Sequence, residues 1–303
     1  MSIGEYMSEK NLIGMTEEEF LSSYDIKAFD RPSVTVDILL FTISDEEVNN
    51  YRKLPKKSLR VLLIKRNEHP YLGMWALPGG FVRMNENLET AAYRELKEET
   101  GVVNAYLEQL YTYGDLKRDP RGRIISTSYM SLVNKNEVHM RAGSDADDAR
   151  WFEVDYQLVK ETKEETENGF IENKFIEVGL TNEENVLKSM IKVTRTVEGK
   201  HVSYNRSIVD NDKISFDHGL IIQYGIERLR NKLEYSDIIF HLMPELFTLT
   251  DLQKSYEEIL DKPLIKANFR RKTAKLVIET EQSTSDVGHR PSKLYKFNPS
   301  WMD

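Results

Sequence analysis

Three glutamates stand close together in a segment of the sequence that is predicted to be helical. They are Glu95, Glu98 and Glu99, spaced i, i+3 and i+4 within 88–100. A helix places such residues on one face, with Cβ atoms about 5–6 Å apart, where like charges destabilise it by roughly 0.2–0.5 kcal/mol per pair. A hard dication such as Mg²⁺ reverses that effect, because it binds carboxylates together with phosphate oxygens and retained waters. The spacing therefore indicates a site for Mg²⁺ or Mn²⁺, and a solvated acidic helix is the plain alternative.

The residues around this helix suit the same chemistry. Asn87 and Gly101 are residue types that cap the two ends of a helix. Arg94 lies beside the glutamates, where a guanidinium can pair with a carboxylate and hold its orientation. Gly80, in the loop before the helix, lets the backbone approach a metal or a phosphate closely.

The whole stretch from Gly80 to Val102 resembles the Nudix box at every constrained position. It consists of Gly80, five residues, Glu86, seven residues, and then Arg94-Glu95-Leu96-Lys97-Glu98-Glu99-Thr100-Gly101-Val102. The resemblance implies an α/β/α sandwich and a metal-dependent hydrolase of a nucleoside diphosphate linked to another moiety. It implies a catalytic group of Glu95, Glu98, Glu99 and Arg94. In this family the three glutamates hold the metal, Glu86 is a weaker or water-bridged ligand, and the Gly80 carbonyl is a further contact.

Length and composition limit the remaining possibilities. The chain has 303 residues, a net charge of −8 and 40% hydrophobic residues, enough for about two domains with real cores. It has no cysteine, which excludes disulfides and thiolate chemistry and fits a reducing, cytoplasmic setting. No apolar run approaches ~18 residues, and no signal peptide is recognised at the N-terminus. We therefore expect no membrane span.

An arginine-rich loop is the second candidate for substrate contact. Arg118, Arg121 and Arg123 fall within six residues and make a dense group of anion-binding side chains. A solvated turn made by Asp-Pro and Gly is the alternative. The segment also resembles the ADP-ribose-type Nudix branch, which implies that Arg118 and Arg123 steady a diphosphate.

Two further sets of residues are left with open alternatives. A loop carboxylate often serves as general base in this superfamily, and Glu137, Asp145 and Asp147 are candidates, with a solvated acidic loop as the alternative for each. Phe81 and Tyr129 are candidates for stacking on a base, with core packing as the alternative.

The predicted fold is α+β: an N-terminal Nudix α/β/α sandwich with a mixed sheet, an inserted β-hairpin region and a C-terminal winged helix-turn-helix domain. We expect an N-terminal extension over 1–27, the Nudix domain over 28–154, the insertion over 155–213 and the winged helix over 214–303. The insertion is acidic, since residues 153–190 contain ten acidic and four basic side chains. We expect a hairpin turn at Glu198-Gly199-Lys200 and mobility around 161–169. The predicted Nudix strands cover 34–43, 58–65, 105–113, 124–133 and 150–154.

The tail has the order of a winged DNA-binding domain, which is helix, turn, basic helix and hairpin. Thr248 is a predicted N-cap for a helix over 249–260, with Asp251 completing a capping box. A second helix is predicted over 264–276, and residues 262–275 contain six basic residues and no acidic one. In such domains the second helix enters the major groove, although a solvated basic face is the alternative. The candidate DNA-binding residues are Lys266, Asn268, Arg270, Arg271, Lys272, Arg290 and Lys293.

Three strings in this tail resemble the C-terminal domain of the Nudix-related transcriptional regulators. They are Phe216-Asp217-His218, 264–272 and 290–295. The resemblance implies a homodimer that binds a double-stranded palindromic operator and responds to ADP-ribose or a related sugar nucleotide. Many members have eroded Nudix boxes, whereas this one is intact.

Two hypotheses of function follow. In the first, the chain is a Mg²⁺-dependent pyrophosphatase of ADP-ribose or a related nucleoside diphosphate sugar, fused to a DNA-binding module. In the second, it is a non-catalytic repressor of NAD or sugar metabolism that only senses the ligand. The two are compatible, because an enzyme can hydrolyse the ligand that it senses.

Overall fold

The computed structural model describes residues 10, 14–45, 56–103, 105–135, 138, 149–284 and 291–302. The general-base candidates Glu137, Asp145 and Asp147 and the DNA-binding candidate Arg290 lie outside the described residues. The chain forms two compact units, Met1–Ser33 and Val34–Asp303.

The described residues of the first unit include a short helix, α1 (Glu17–Ser23), and a 3₁₀ turn, Ile26–Ala28. The helix begins at Thr16 because a capping box satisfies its first amides, with the Thr16 hydroxyl accepting from the Glu19 N–H and the Glu19 carboxylate accepting from the Thr16 N–H. Three glutamates in the first turn also complement the positive end of the helix dipole.

Ten strands of the described residues form one sheet, in which eight follow the order β10-β9-β8-β7-β2-β1-β6-β5 and the short β3 and β4 pair with β2 and β1. The sheet is mixed as predicted. Ser126 hydrogen-bonds to Thr35 and Val133 to Phe41, so β1 and β6 run in the same direction, whereas β1 and β2 are antiparallel. The strands are β1 (Ser33–Asp45), β2 (Lys57–Lys65), β3 (Trp75–Ala76), β4 (Gly79–Phe81), β5 (Tyr106–Tyr113), β6 (Ile124–Leu132), β7 (Ala149–Thr166), β8 (Gly169–Thr181), β9 (Val186–Glu198) and β10 (His201–Asp212).

Helices cover both faces of this sheet. The helix α2 (Leu88–Thr100) buries Leu96 against Ile38 and Leu40 of β1. The helix α3 (His218–Lys232) shares the opposite core with Leu39 and Phe41, because successive side chains of a strand point to opposite faces. The α/β/α sandwich is thus confirmed, but its second helical layer comes from a segment that we predicted to belong to the winged helix.

The acidic segment after the Nudix strands extends the same sheet. The predicted boundary at 154 lies inside the continuous strand β7, which pairs with β8 along its length. The predicted hairpin turn at Gly199 is present, with the glycine at φ +58° in the left-handed region. Residues 161–166 form a regular ladder with β8 rather than the mobile segment that we expected. Backbone pairing explains the difference, since residues 169–174 of β8 pair with 161–166 on one side and with β9 on the other.

The C-terminal part is a winged helix. The helix α4 (Leu249–Leu260) begins at the predicted Thr248–Asp251 capping box, and α5 (Lys266–Thr273) packs on it through an edge-to-face contact of Tyr256 with Phe269. The helix α5 is shorter than the predicted 264–276, because a tight turn from Thr273 to Leu276 leads directly into the wing. The wing strands are β11 (Val277–Ser283) and β12 (Lys293–Phe297). No helix among the described residues has the length and apolar character needed to span a bilayer.

Candidate functional site

The glutamate helix begins and ends where the sequence predicts. The Asn87 side chain accepts a hydrogen bond from the Thr90 N–H, and Gly101 closes the C-terminus at φ +72°. The two caps set where the helix begins and ends. With these ends, Glu95 and Glu99 point toward the Gly79-Gly80 loop. A Cβ on Gly80 would overlap Glu95 Oε1, and the Gly79 N–H donates to Glu99 Oε2 at 3.1 Å.

Arg94 connects three of the four predicted acidic residues. It donates to Glu86 from Nε at 2.9 Å and from Nη2 at 2.6 Å, to Glu95 at 2.6 Å and to Glu98 at 3.2 Å. It also donates to the Phe81 carbonyl at 3.2 Å. The hydrogen bonds from Arg94 and from the Arg83 N–H lower the pKa of Glu86 to about 2. Glu86 is therefore a fixed anion that orients Arg94.

Glu99 lies apart from Arg94 and has a different electrostatic state. Burial, followed by the nearby negative charge of Glu95, raises the pKa of Glu99 to about 8. A hard divalent cation would stabilise the ionised form of both carboxyl groups, and Gly80 lines the same space. Glu86, Glu95 and Glu98 accept hydrogen bonds from Arg94, whereas Glu99 accepts one from the Gly79 N–H. Across the described part of the chain, no three acidic or histidine side chains form a metal-binding group.

A cleft of about 430 Å³ opens beside these carboxylates. Gly79, Gly80 and Glu99 line one side, and Arg66, Arg121 and Phe216 line the other. The two guanidinium groups lie 5.0 and 5.7 Å from the centre of the Phe216 ring. Burial and then the like charge of Arg121 lower the pKa of Arg66. An anion bound between the two arginines would relieve that repulsion.

The three arginines of the loop have different surroundings. Arg118 is buried and forms two hydrogen bonds to Asp217, at 2.7 and 2.9 Å, and one to Asp37 at 3.3 Å. Arg123 is exposed and donates to the Gly114 and Asp115 carbonyls. Arg121, which we did not assign to the substrate, lines the cleft together with Arg118. It pairs with Asp119 and lies 5.3 Å from the centre of the Phe81 ring.

The first residues of α3 form a wall of the cleft. His218 Nδ1 accepts a hydrogen bond of 2.8 Å from the Leu77 N–H, and its Nε2 lies 3.6 Å from Asp37 Oδ1. Phe216 adopts φ +51°, a left-handed conformation that costs roughly 1–2 kcal/mol for a non-glycine residue. The surrounding contacts therefore hold its ring in the cleft.

The two candidates for base stacking, Phe81 and Tyr129, differ in their exposure. Phe81 is about half exposed at the cleft, whereas Tyr129 is buried in the core beneath α2, which agrees with the packing alternative. Sequence reasoning missed Arg66, which belongs to no motif and is marked only by its place after a predicted strand. It also missed the part that Phe216 and His218 play in the cleft, since their string was assigned to the C-terminal DNA-binding domain.

The basic helix α5 has one buried and one exposed side. It buries Phe269 and Thr273 against the winged-helix core. Asn268 Oδ1 accepts a weak hydrogen bond of 3.4 Å from Arg271, and Lys293 on β12 lies 3.8 Å from Glu279. The exposed candidates are Lys266, Asn268, Arg270, Arg271, Lys272 and Lys293.

Two family models match the chain in agreement with this architecture. Residues 53–174 match the NUDIX domain, and residues 239–297 match the NrtR DNA-binding winged helix domain. A Nudix domain joined to a DNA-binding winged helix is thus the class of protein that the fold and the cleft define.

Curated relatives show the family. Over 286 residues, the chain is 31% identical to the "ADPR responsive transcriptional repressor NtrR" of Acinetobacter baylyi, covering 93% of this chain and 88% of that protein. The chain therefore belongs to the family of Nudix-related transcriptional regulators. Over 99 residues it is also 42% identical to the "ADP-ribose pyrophosphatase" of Methanocaldococcus jannaschii, covering 33% of this chain and 57% of that one.

Solved structures show the same two-part organisation. A MutT/nudix family protein from Enterococcus faecalis matches with a TM-score of 0.65 and 26% identity, over 98% of this chain and 99% of that chain. Shewanella oneidensis NrtR complexed with a 27mer DNA matches with a TM-score of 0.57 and 27% identity, over 88% and 94% of the two chains.

Proposed function

We propose that this protein is a DNA-binding regulator that responds to ADP-ribose or a related nucleoside diphosphate sugar. The observation that carries the proposal is that one helix borders both sites. The first turn of α3 borders the cleft through His218, and Arg230 near its end donates a 2.7 Å hydrogen bond to the Ile259 carbonyl of α4. A ligand in the cleft therefore contacts the element that carries the winged helix.

The chemistry of the cleft supports a diphosphate ligand. Arg66 and Arg121 supply two positive groups, and guanidinium groups bind phosphates through paired hydrogen bonds. Phe81 and Phe216 supply ring faces beside them. Because two relatives carry ADP-ribose or its abbreviation in their names, ADP-ribose is the ligand to try first.

Calorimetric titration of ADP-ribose into the full chain tests this assignment with a matched pair of arginine variants. Arg121→Ala should weaken binding by about ten-fold or more, because a charge-assisted hydrogen bond contributes ~1.5–3 kcal/mol. Arg123→Ala should leave the affinity unchanged, since its guanidinium is turned toward backbone carbonyls. Loss of binding in Arg123→Ala with full binding in Arg121→Ala would show that the cleft assignment is wrong.

For the DNA-binding surface we propose the exposed side of α5 with the adjoining wing, acting as a homodimer on a two-fold operator. The recognition helix of such domains enters the major groove with its N-terminal residues near base edges. Lys266 and Asn268 are then candidates for base contacts, while Arg270, Arg271, Lys272 and Lys293 are candidates for phosphate contacts.

We also propose that the Nudix domain retains hydrolytic activity, because burial and the Glu95 charge raise the pKa of Glu99 and a divalent cation would stabilise the ionised form of both carboxyl groups. Glu95, Glu98, Glu99 and the Gly80 carbonyl are the groups that would hold it, with Glu86 as a weaker or water-bridged ligand. When bound, the cation supplies Lewis-acid chemistry at the diphosphate and makes water a better nucleophile. Arg94 would keep Glu95 and Glu98 oriented, and Arg121 and Arg66 would bind the substrate.

Release of AMP from ADP-ribose with Mg²⁺ is the measurement that tests this activity. Glu98→Gln should reduce turnover by about a hundred-fold or more, since metal catalysis contributes several kcal/mol. Glu89→Gln, an exposed change in the first turn of the same helix, is the matched control and should keep full activity. No AMP release from the wild type, together with saturable ADP-ribose binding, would reject the enzyme and leave the sensor. Full activity in Glu98→Gln would reject this mechanism.

A further inference from the structure

A second cavity, of about 540 Å³, lies away from the glutamate helix. Its walls come from β5 and β10, which are the opposite edge strands of the sheet, and from the first turns of α3. The sheet therefore curls until its edges face each other, and α3 closes the space between them. A volume of this size falls within the range of about 300–1,000 Å³ that is typical of small-molecule sites.

Tyrosine rings dominate the lining of this cavity. Tyr111 contacts Tyr113 and Tyr224 edge-to-face, at centroid distances of 5.1 and 5.6 Å. The Arg206 guanidinium lies 4.7 Å from the centre of the Tyr224 ring and 5.9 Å from that of Tyr204. Tyr111 and Tyr204 remain 52% and 58% exposed, so two large ring surfaces are available to a planar molecule.

Two buried polar atoms at the cavity lack a partner among the described residues. They are the Tyr113 hydroxyl and Arg206 Nε. Tyr113 is 8% exposed, and burial and the neighbouring Asp217 raise the pKa of its hydroxyl above the usual range. The hydroxyl is thus a donor at neutral pH. Buried donors are normally satisfied, and a ligand with hydrogen-bond acceptors would satisfy both.

The charges around the cavity do not favour a polyanion. Arg206 donates to Glu227 at 3.0 Å, and Arg118 is paired with Asp217. Asp115 adds a further negative charge to the lining. This differs from the Nudix cleft, where Arg66 and Arg121 lie over one ring. The cavity therefore suits an uncharged group.

We propose that this cavity is a second ligand site, distinct from the Nudix cleft, for an uncharged planar heteroaromatic molecule with hydrogen-bond acceptors. Nucleosides belong to this chemical class. Stacking on Tyr204 and Tyr111 supplies most of the affinity, and the Tyr113 hydroxyl selects for an acceptor. The Arg118–Asp217 ion pair separates the two sites, since Arg118 lines both cavities.

Calorimetric titration of adenosine and of cytidine into the full-length protein tests the proposal. At least one should bind saturably with one site per chain. Tyr204→Ala should weaken that binding by about ten-fold, the effect expected for one lost stacking surface. Tyr113→Phe, which removes only the hydroxyl, should weaken it by about five-fold. Tyr235→Ala, an exposed tyrosine outside the cavity, should have no effect.

The variant Arg121→Ala shows which of the two sites the nucleoside occupies, because Arg121 lines the Nudix cleft and not the second cavity. Unchanged nucleoside binding in Arg121→Ala supports the second site. Binding that is lost in Arg121→Ala but retained in Tyr204→Ala overturns it, as does the absence of saturable binding of both nucleosides. Because Tyr204 is exposed, Tyr204→Ala should not affect folding. A thermal melt of each variant verifies that it is folded.

Discussion

At the scale of single residues, the role of an arginine depends more on where the fold places its side chain than on the residues beside it in the sequence. Arg118, Arg121 and Arg123 belong to one loop, yet Arg118 is buried in an ion pair at the cleft, Arg121 lines the cleft beside Phe81 and Phe216, and Arg123 binds backbone carbonyls. Spacing alone could not separate them, because the partners Asp37 and Asp217 are distant in sequence. A dense basic loop therefore indicates anion binding, but it does not show which of its arginines contact the anion.

The buried arginine should have a structural effect that its exposed neighbour lacks. Arg118→Ala leaves Asp37 and Asp217 without their partner, and breaking a buried pair on one side costs about 3–5 kcal/mol. Arg123→Ala should change the free energy of unfolding by less than about 0.5 kcal/mol. Urea denaturation of both variants compares the two values. Equal, small losses would contradict a structural role for Arg118.

Asp37 should make stability depend on pH on the acid side. Burial raises its pKa, but His218, Arg118 and Ser126 outweigh burial, and the pKa is lowered overall. A lowered folded-state pKa stabilises the protein above the unfolded-state value of about 3.9, and that contribution is lost as pH falls through the folded-state pKa. Asp37→Asn should thus be less stable than wild type at pH 7, with the difference shrinking toward pH 3. Thermal melts across this range measure it, and a constant difference would reject the account.

At the scale of elements, local signals predicted the helices and strands well. The caps of α2 and α4 lie where Asn87, Gly101 and Thr248 indicated, because capping depends on contacts within a few residues. What failed depends on distant contacts. The strand β7 continues past 154 because β8 pairs with it, and α3 joins the Nudix core because Gly225 lets the helix approach Leu39. Arg66 and Phe216 meet in the cleft for the same long-range reason.

The basic helix α5 should dominate DNA binding. Arg270→Ala combined with Lys272→Ala removes two positive charges from its exposed side, so DNA affinity should fall and the slope of log affinity against log salt should decrease by about 2. Lys160→Ala with Lys200→Ala, an equal change of charge on the extended sheet, is the control. Fluorescence anisotropy with a duplex selected from a randomised pool measures both. An unchanged salt slope in the α5 double variant would argue against this surface.

At the scale of the whole molecule, one continuous core has consequences for regulation. Residues of the Nudix sheet, the extended strands, α3 and the winged helix share a single buried cluster that includes Phe41, Val178, Ile226 and Leu252. A change in the position of α3 would therefore affect both the Nudix sheet and the winged helix. If the protein binds both ligands as proposed, linkage requires that ADP-ribose and DNA alter each other's affinity by the same factor, which for allosteric proteins is typically about 5–150.

That coupling should depend on the two ends of α3. His218→Ala removes the acceptor of the Leu77 N–H, and Arg230→Ala removes the hydrogen bond to Ile259. Each variant should bind DNA and ADP-ribose separately, but the factor by which ADP-ribose changes DNA affinity should move toward one. His201→Ala, an exposed histidine on β10, should keep the wild-type factor. Anisotropy titrations of DNA with and without saturating ADP-ribose give the factor for each protein. If both α3 variants retained it in full, the signal would have to travel by another route, because neither end contact of the helix would then be needed.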